Sequence, residues 1–137
     1  MKDIRACDFT TSEYPRVGYD DLVLDALEAM IASKRDYAMV IEDGDIMGVL
    51  EQAEVVFAYG RGELSRDTRV AEIARDLPWI DSDATFDDVV AFMADLEIFQ
   101  VSIENTVLDD FTLLRAIWTE RLAVAREFRE YEAPGEE

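Results

Sequence analysis

The chain has 137 residues, half of them apolar, and its 32 acidic against 13 basic side chains give a formal charge of −19. That length can bury one core, or two small ones packed against each other, and a field of that sign repels nucleic acid and anionic membranes as partners. With no histidine and a single cysteine, Cys7, His-based general bases, nucleophile triads, imidazole and thiolate metal sites and an internal disulfide are all excluded.

No apolar run approaches the roughly 20 residues that cross a bilayer, and Met1 to Arg16 has no hydrophobic segment of signal-peptide type. A soluble, cytoplasmic protein is therefore expected. The only lysines are Lys2 and Lys34, and the acids are spread evenly along the chain. Such an acidic coat with little Lys suggests a cytoplasm rich in salt, where the Debye length falls to about 3 Å near 1 M and self-repulsion is screened; the alternative is a high-GC mesophile, which also replaces Lys with Arg.

In chain order, Arg16 to Gly18 reads as a short extended piece. Asp20 or Asp21 then caps a helix to about Ser33, with Leu24, Leu27 and Ile31 along one face and Val23 and Met30 beside them. Tyr37 to Ile41 is a buried strand, Glu42-Asp43-Gly44-Asp45 has hairpin-turn chemistry, Ile46 to Leu50 returns, and Gln52 to Tyr59 is a helix. The order is βαββα. Residues 1–60 thus form a first unit with its N-terminal segment, and the polar, glycine-bearing stretch 61–69 is a linker.

A second, shorter unit is expected over residues 70–118. Trp79-Ile80 opens it, Asp83 caps a helix to about Leu96, and Phe99 to Ile103 is a strand. Glu104-Asn105 turns directly into Val107-Leu108. A last helix starts near Asp110 and keeps an apolar stripe through Leu114, Ile117, Trp118, Leu122, Ala125 and Phe128, so residues 119–137 read as a helical extension and acidic tail. A stripe that outruns its own unit needs a cover: a second copy of the chain is the simplest one, and folding back on its own chain is the alternative.

The two units repeat each other about sixty residues apart. Asp21 to Ile41 runs parallel to Ala84 to Ile103, and Gly48 to Ala58 parallels Thr106 to Ala116, so that Val49-Leu50-Glu51 answers Val107-Leu108-Asp109. The register between the blocks places one deletion in the second copy, between Ile103 and Thr106. Lys2-Asp3-Ile4 weakly echoes Val70-Ala71-Glu72-Ile73. Gly60-Arg61-Gly62 lacks the helix that would make it a phosphate loop, and the alternating Asp81, Asp83, Thr85 and Asp87 lack the glycine and closing glutamate of a calcium loop.

With the extended piece before the Asp-Asp helix start, the Asp-Gly hairpin and the strand into Gly48, residues Val17 to Val56 resemble a cystathionine-β-synthase (CBS) domain. Val70 to Leu96 looks like the linker and opening half of a second one. The resemblance implies an α+β fold: two βαββα CBS-type repeats packed as a pseudo-two-fold pair, with an extended C-terminal helix. It also implies a regulatory, ligand-sensing module that is not an enzyme, is a homodimer, and holds AMP, ADP, ATP or adenosine in the clefts between repeats.

The family's nucleotide signature is a glycine, two apolar residues, a Ser or Thr that touches phosphate, and an Asp three positions later that accepts the ribose hydroxyls. Carried over, the first copy reads Gly48-Val49-Leu50-Glu51-Gln52-Ala53-Glu54 and the second Thr106-Val107-Leu108-Asp109-Asp110-Phe111-Thr112. The ligand-binding candidates that follow are Tyr37, Gly48, Glu51, Glu54, Asp109 and Thr112. Glu51 would set a carboxylate against phosphate, a repulsion of about 4 kcal/mol at 4 Å and an effective dielectric near 20. An acid at either Glu51 or Asp109 also suits the start of a helix, by about 0.3 to 1 kcal/mol. An uncharged adenosine-like ligand, or a phosphate bridged by a divalent cation, would tolerate these acids. The alternative is a dimeric interaction scaffold that binds no ligand and presents the long C-terminal helix.

Overall fold

The strand that opens the first copy is only three residues long, so it needs a partner from beyond the next helix. In a computed structural model, which describes residues 4–11 and 13–119, β1 (Arg16–Gly18) lies parallel to β2 (Tyr37–Glu42) after the crossover through α1 (Val23–Ser33). Strand β2 turns into antiparallel β3 (Asp45–Glu51), which leads into α2 (Gln52–Gly60). A two-residue strand that the sequence reading did not foresee, β4 (Arg75–Asp76), pairs with β3 and completes the order β1-β2-β3-β4.

The second copy reproduces this with less. Its helix α3 (Phe86–Leu96) feeds the hairpin β5 (Gln100–Ile103) and β6 (Thr106–Asp109) and then the helix α4, which spans 110–119 of the described residues. Its outer strands shrink to single bridges. Trp79 lies parallel to Ser102, and Thr11 lies antiparallel to Val107. The expected strand at Trp79-Ile80 is thus one bridge with two bonds, from Ile80 N–H to the Ser102 carbonyl and from Ser102 N–H to the Pro78 carbonyl, each at 2.9 Å.

Backbone hydrogen bonds recur at equivalent places and relate the halves by an approximate two-fold axis. Met39 N–H donates to the Pro15 carbonyl as Ser102 N–H does to Pro78, both at 2.9 Å. Gln52 N–H reaches the Asp36 carbonyl at 2.8 Å, and Asp110 N–H reaches Phe99 at 3.0 Å. Helix α1 ends with Lys34 at φ 57° and α3 with Glu97 at φ 53°, the left-handed closure that lets the next amide bond back into the last turn.

The deletion in the second copy removes no turn residue. Both hairpins close through two residues of positive φ, Asp43 (52°) and Gly44 (84°), and Glu104 (51°) and Asn105 (57°), which suits the right-handed twist of the flanking strands. The missing residues come from the arms, six and seven residues long in the first copy and four each in the second. One of them is the bulge that leaves Met47 unpaired between the Val40–Gly48 and Ile41–Ile46 pairs.

Three expectations about the helices are corrected. The buried face of α1 is Val23, Ala26 and Met30, whereas Leu24 and Ile31 point outward with 45% and 78% exposed. The helix begins one residue after Leu22, and Asp21 does not cap it; the Asp21 carboxylate accepts the Gly18 N–H at 2.7 Å and ties the preceding turn. Helix α3 is capped by Thr85, whose hydroxyl accepts the Asp88 N–H while the Asp88 carboxylate accepts the Thr85 N–H, a reciprocal capping box. Asp83 instead faces Arg5 at the surface.

Each copy borrows the segment that precedes the other. Ala6 is fully buried among Phe86, Val89, Val101 and Leu108 of the second copy, and Val70 among Val23, Met30, Val40 and Leu50 of the first. The N-terminal echo accordingly runs in another register from the one read in sequence. Ala6 matches Val70, since Ala6 N–H bonds to the Ala84 carbonyl as Val70 N–H bonds to Asp21. A third apolar cluster of Tyr14, Tyr37, Met39, Ile46, Val49, Leu77 and Val107 joins the two sheets.

The apolar stripe of α4 is outward over the described part: Leu113 and Ala116 are buried while Leu114 and Trp118 are 60% and 67% exposed. The expected extension beyond residue 119 lies outside the described residues. Among those residues no helix is long and apolar enough to cross a membrane.

Candidate functional site

Among the side-chain connections that join the copies, two at the ends of the strands are related by the two-fold axis. Tyr37 opens β2 and Gln100 opens β5; Glu51 ends β3 and Asp109 ends β6. On one side the Tyr37 hydroxyl donates directly to Asp109 Oδ2. On the other, Gln100 reaches Glu51 through Arg75, whose Nη2 donates to Gln100 Oε1 at 2.8 Å and whose Nε donates to Glu51 Oε1 at 2.7 Å. Arg75 Nη2 also pairs with the same Glu51 oxygen.

Asp109 is almost wholly buried, and both its oxygens are used. Oδ1 accepts the Thr112 N–H at 2.8 Å while Thr112 Oγ1 accepts the Asp109 N–H at 3.1 Å, so the pair caps α4. Burial, then the hydrogen bond to Asp109 and its charge, hold the Tyr37 hydroxyl protonated far above the ordinary tyrosine range. Asp110, in the first turn of α4, has its carboxyl pushed up by burial and by the neighbouring charges of Asp109 and Asp36.

Glu51 does not cap α2 with its side chain. It pairs with Arg75, and the repulsion computed for a bare carboxylate therefore does not apply to it. Gly48 is the residue that lets β4 approach: a Cβ there would lie 2.8 Å from the Arg75 carbonyl oxygen and 2.8 Å from the Tyr19 hydroxyl. Glu54 is half-buried in the first turn of α2. The six candidates are thus divided between the two halves, and only Tyr37 and Asp109 touch across the seam.

Beside the second copy lies an open cavity of about 410 Å³, lined by Ile4, Phe9, Thr10, Thr11, Glu13, Thr112, Arg115, Ala116 and Thr119. Apolar groups form one wall, where Phe9 is held edge-on to Phe86 at 5.5 Å. Threonine hydroxyls, one carboxylate and the guanidinium of Arg115 supply the polar contacts. A groove of about 570 Å³ lies on the other side of α4, between Lys34, Arg35 and Asp36 of the first copy and Asp109, Asp110, Phe111 and Leu114 of the second. Of the candidates, Thr112 lines the cavity and Asp109 the groove.

Sequence reasoning missed Arg75, Gln100, Arg115 and the wall Phe9 to Thr11. Gln100 could have been found as the repeat partner of Tyr37. Arg75 and Thr11 could not, because their equivalence rests on the bridges each makes to β3 and β6, at Val49 and Val107.

Comparison with known proteins agrees with the fold. The family model described as "CBS domain" matches residues 4–61. Among solved structures, an uncharacterized conserved protein from Pyrococcus horikoshii superposes with a TM-score of 0.75 at 20% identity, covering 85% of this chain and 93% of the other. CBSX2 in complex with AMP superposes with a TM-score of 0.73 at 16% identity, covering 86% and 98%. The CBS domain of the bacterial CNNM/CorC family Mg2+ transporter in complex with ATP gives 0.71 at 10% identity, covering 82% and 86%. No curated protein matches the chain in sequence.

Proposed function

Because the chain carries a CBS domain in residues 4–61 and folds as a CBS-domain pair, we propose that it is a regulatory module, not a catalyst, which binds an adenine nucleotide or nucleoside beside its second repeat. Binding there shifts how the repeats or a partner protein are held. The observation that carries the reading is the cavity of about 410 Å³, which has an apolar wall, hydroxyls and one cation. Phe9, Ile4 and Ala116 offer surface to a base. Glu13 and the threonines offer groups to sugar hydroxyls, and Arg115 offers a charge to phosphate. Asp109, which stands at the hydroxyl position of the second copy's signature, is committed to Tyr37 and Thr112. That CBSX2 was solved with AMP and the CNNM/CorC domain with ATP supports the choice of ligand class.

Titration calorimetry with AMP, ADP, ATP and adenosine, with and without magnesium at high salt, tests it. Saturable binding of at least one is expected. Arg115→Ala should weaken AMP or ATP about tenfold or more, the scale of a lost hydrogen bond to a charged group, and leave adenosine unchanged. Absence of heat from all four removes the reading.

A second reading, the scaffold, is favoured by one observation: α2 and α4 turn large apolar side chains outward. Val56, Phe57 and Tyr59 are 63%, 58% and 74% exposed, and Phe111, Leu114 and Trp118 are 56%, 60% and 67% exposed. In either reading these faces are the surfaces on which a homodimer would form in the cytoplasm.

A further inference from the structure

The two clefts are not alike, and the difference resides in one pair of equivalent positions. Thr11 pairs with β6 at Val107 and Arg75 pairs with β3 at Val49, so the axis exchanges them. In the second cleft the small Thr11 lines the open cavity, and Tyr37 and Asp109, the counterparts of Gln100 and Glu51, bond directly to each other with no third group between them. In the first cleft a long side chain occupies the equivalent place. Its guanidinium lies between Glu51 and Gln100, with only 26% of the Arg75 side chain and 15% of the Glu51 side chain exposed.

We infer that Arg75 and Glu51 form a built-in occupant of the first cleft, so that each chain takes one ligand, in the second cleft alone. A guanidinium held by a carboxylate is no longer free to receive a phosphate, and the carboxylate is not free to accept sugar hydroxyls. Separating them without a replacement would leave a partly buried charge unpaired, which costs more than an exposed pair returns. Arg75 and Glu51 are therefore specificity-determining residues: they close a site that the fold otherwise builds twice. The ligand class rests on the reading under Proposed function; the closure does not.

The test counts sites. Adenosine and AMP are titrated into the full chain and into the double variant Glu51→Thr with Arg75→Thr, which copies the small residue of the second cleft. The wild type is expected to bind one equivalent and the variant two, with an unchanged circular dichroism spectrum. Two equivalents in the wild type, or one in both proteins, would overturn the inference while leaving the proposed function standing. None in the wild type and one in the variant would sink the proposed function and the ligand of the second cleft, and keep only the closure of the first cleft by Arg75 and Glu51.

If the variant does not fold, or neither protein binds, nitrogen-15 NMR of the wild type decides. The Nε–H of Arg75 should exchange with water at least tenfold more slowly than that of Arg61, whose pair with Glu63 is more than half exposed. Equal rates would mean that the occupant is absent in solution, and the inference would fall.

Discussion

The Tyr37 hydroxyl donates a hydrogen bond to Asp109 across the seam between the two repeats, and both residues are at most 1% exposed. Residues far apart in the chain are brought together because each stands at the inner end of a central strand, and the axis sets the start of one against the end of the other. A phenol is a suitable partner for this carboxylate, since it donates one proton and tolerates burial.

Tyr37→Phe removes the donor and leaves Asp109 Oδ2 without it in a site closed to water. Loss of one partner of such a bond costs about 1 to 3 kcal/mol, so the urea midpoint should fall at pH 7 with no change in slope. The pH dependence carries a sign. Because the folded Tyr37 holds its proton far above the unfolded value of about 10, its contribution is complete below pH 10 and declines as the pH rises past it. Wild-type midpoints measured from pH 8 to 11 should be flat at first and then fall. Tyr37→Phe should fall less, retaining only the slope from Tyr19, whose hydroxyl is also raised, by burial and then by Asp76 and Glu42. Equal slopes would show that Tyr37 ionises freely.

Gly48→Ala should destabilise by about 1 to 3 kcal/mol, the usual cost of forcing an extra carbon into a packed place. The Tyr19 hydroxyl can swing away, but the Arg75 carbonyl belongs to the backbone, so β4 itself must shift. The shift would carry Arg75 away from Glu51. Chemical denaturation of the variant checks the energy, and a faster-exchanging Arg75 Nε–H checks the direction.

How much of this was legible in the residues differs by length scale. The two repeats, their hairpins and their helices were readable because apolar spacing and turn residues are local signals, such as Asp43-Gly44 or the run Phe99 to Ile103. The inner face of α1 was misread because Leu24 and Ile31 look like core residues until the sheet chooses Val23, Ala26 and Met30. Segments that cross over, Ala6 into the second core and Val70 into the first, leave almost no pattern, since each is a single turn completed by another repeat. The site suffers from the same limit. Glu51 reads as an acid at a helix start, and only Arg75, twenty-four positions away, gives it a different role.

Charge supplies a further expectation. With a formal charge of −19 the folded chain repels itself, and raising salt from 0.1 to 1 M shortens the screening length from about 10 to about 3 Å. The urea midpoint should therefore rise across a KCl series. A midpoint that is higher in dilute buffer would contradict the reading of a salt-adapted surface.

The outward faces of α2 and α4 make the last prediction. Val56 and Leu114 occupy equivalent places in the two repeats and are exposed to a similar degree, 63% and 60%. Large exposed apolar side chains of this kind are relieved when a like surface covers them, at about 25 cal/mol for each Å² removed from solvent. An aspartate at either position would put a charge into that contact and add to an already large repulsion between copies. Sedimentation velocity at high salt should show a dimer for the wild type and a shift towards monomer for Leu114→Asp, larger still when combined with Val56→Asp. A wild type that sediments as a monomer at every concentration, or a double variant that stays dimeric, would mean that these helices face something other than a second copy of the chain.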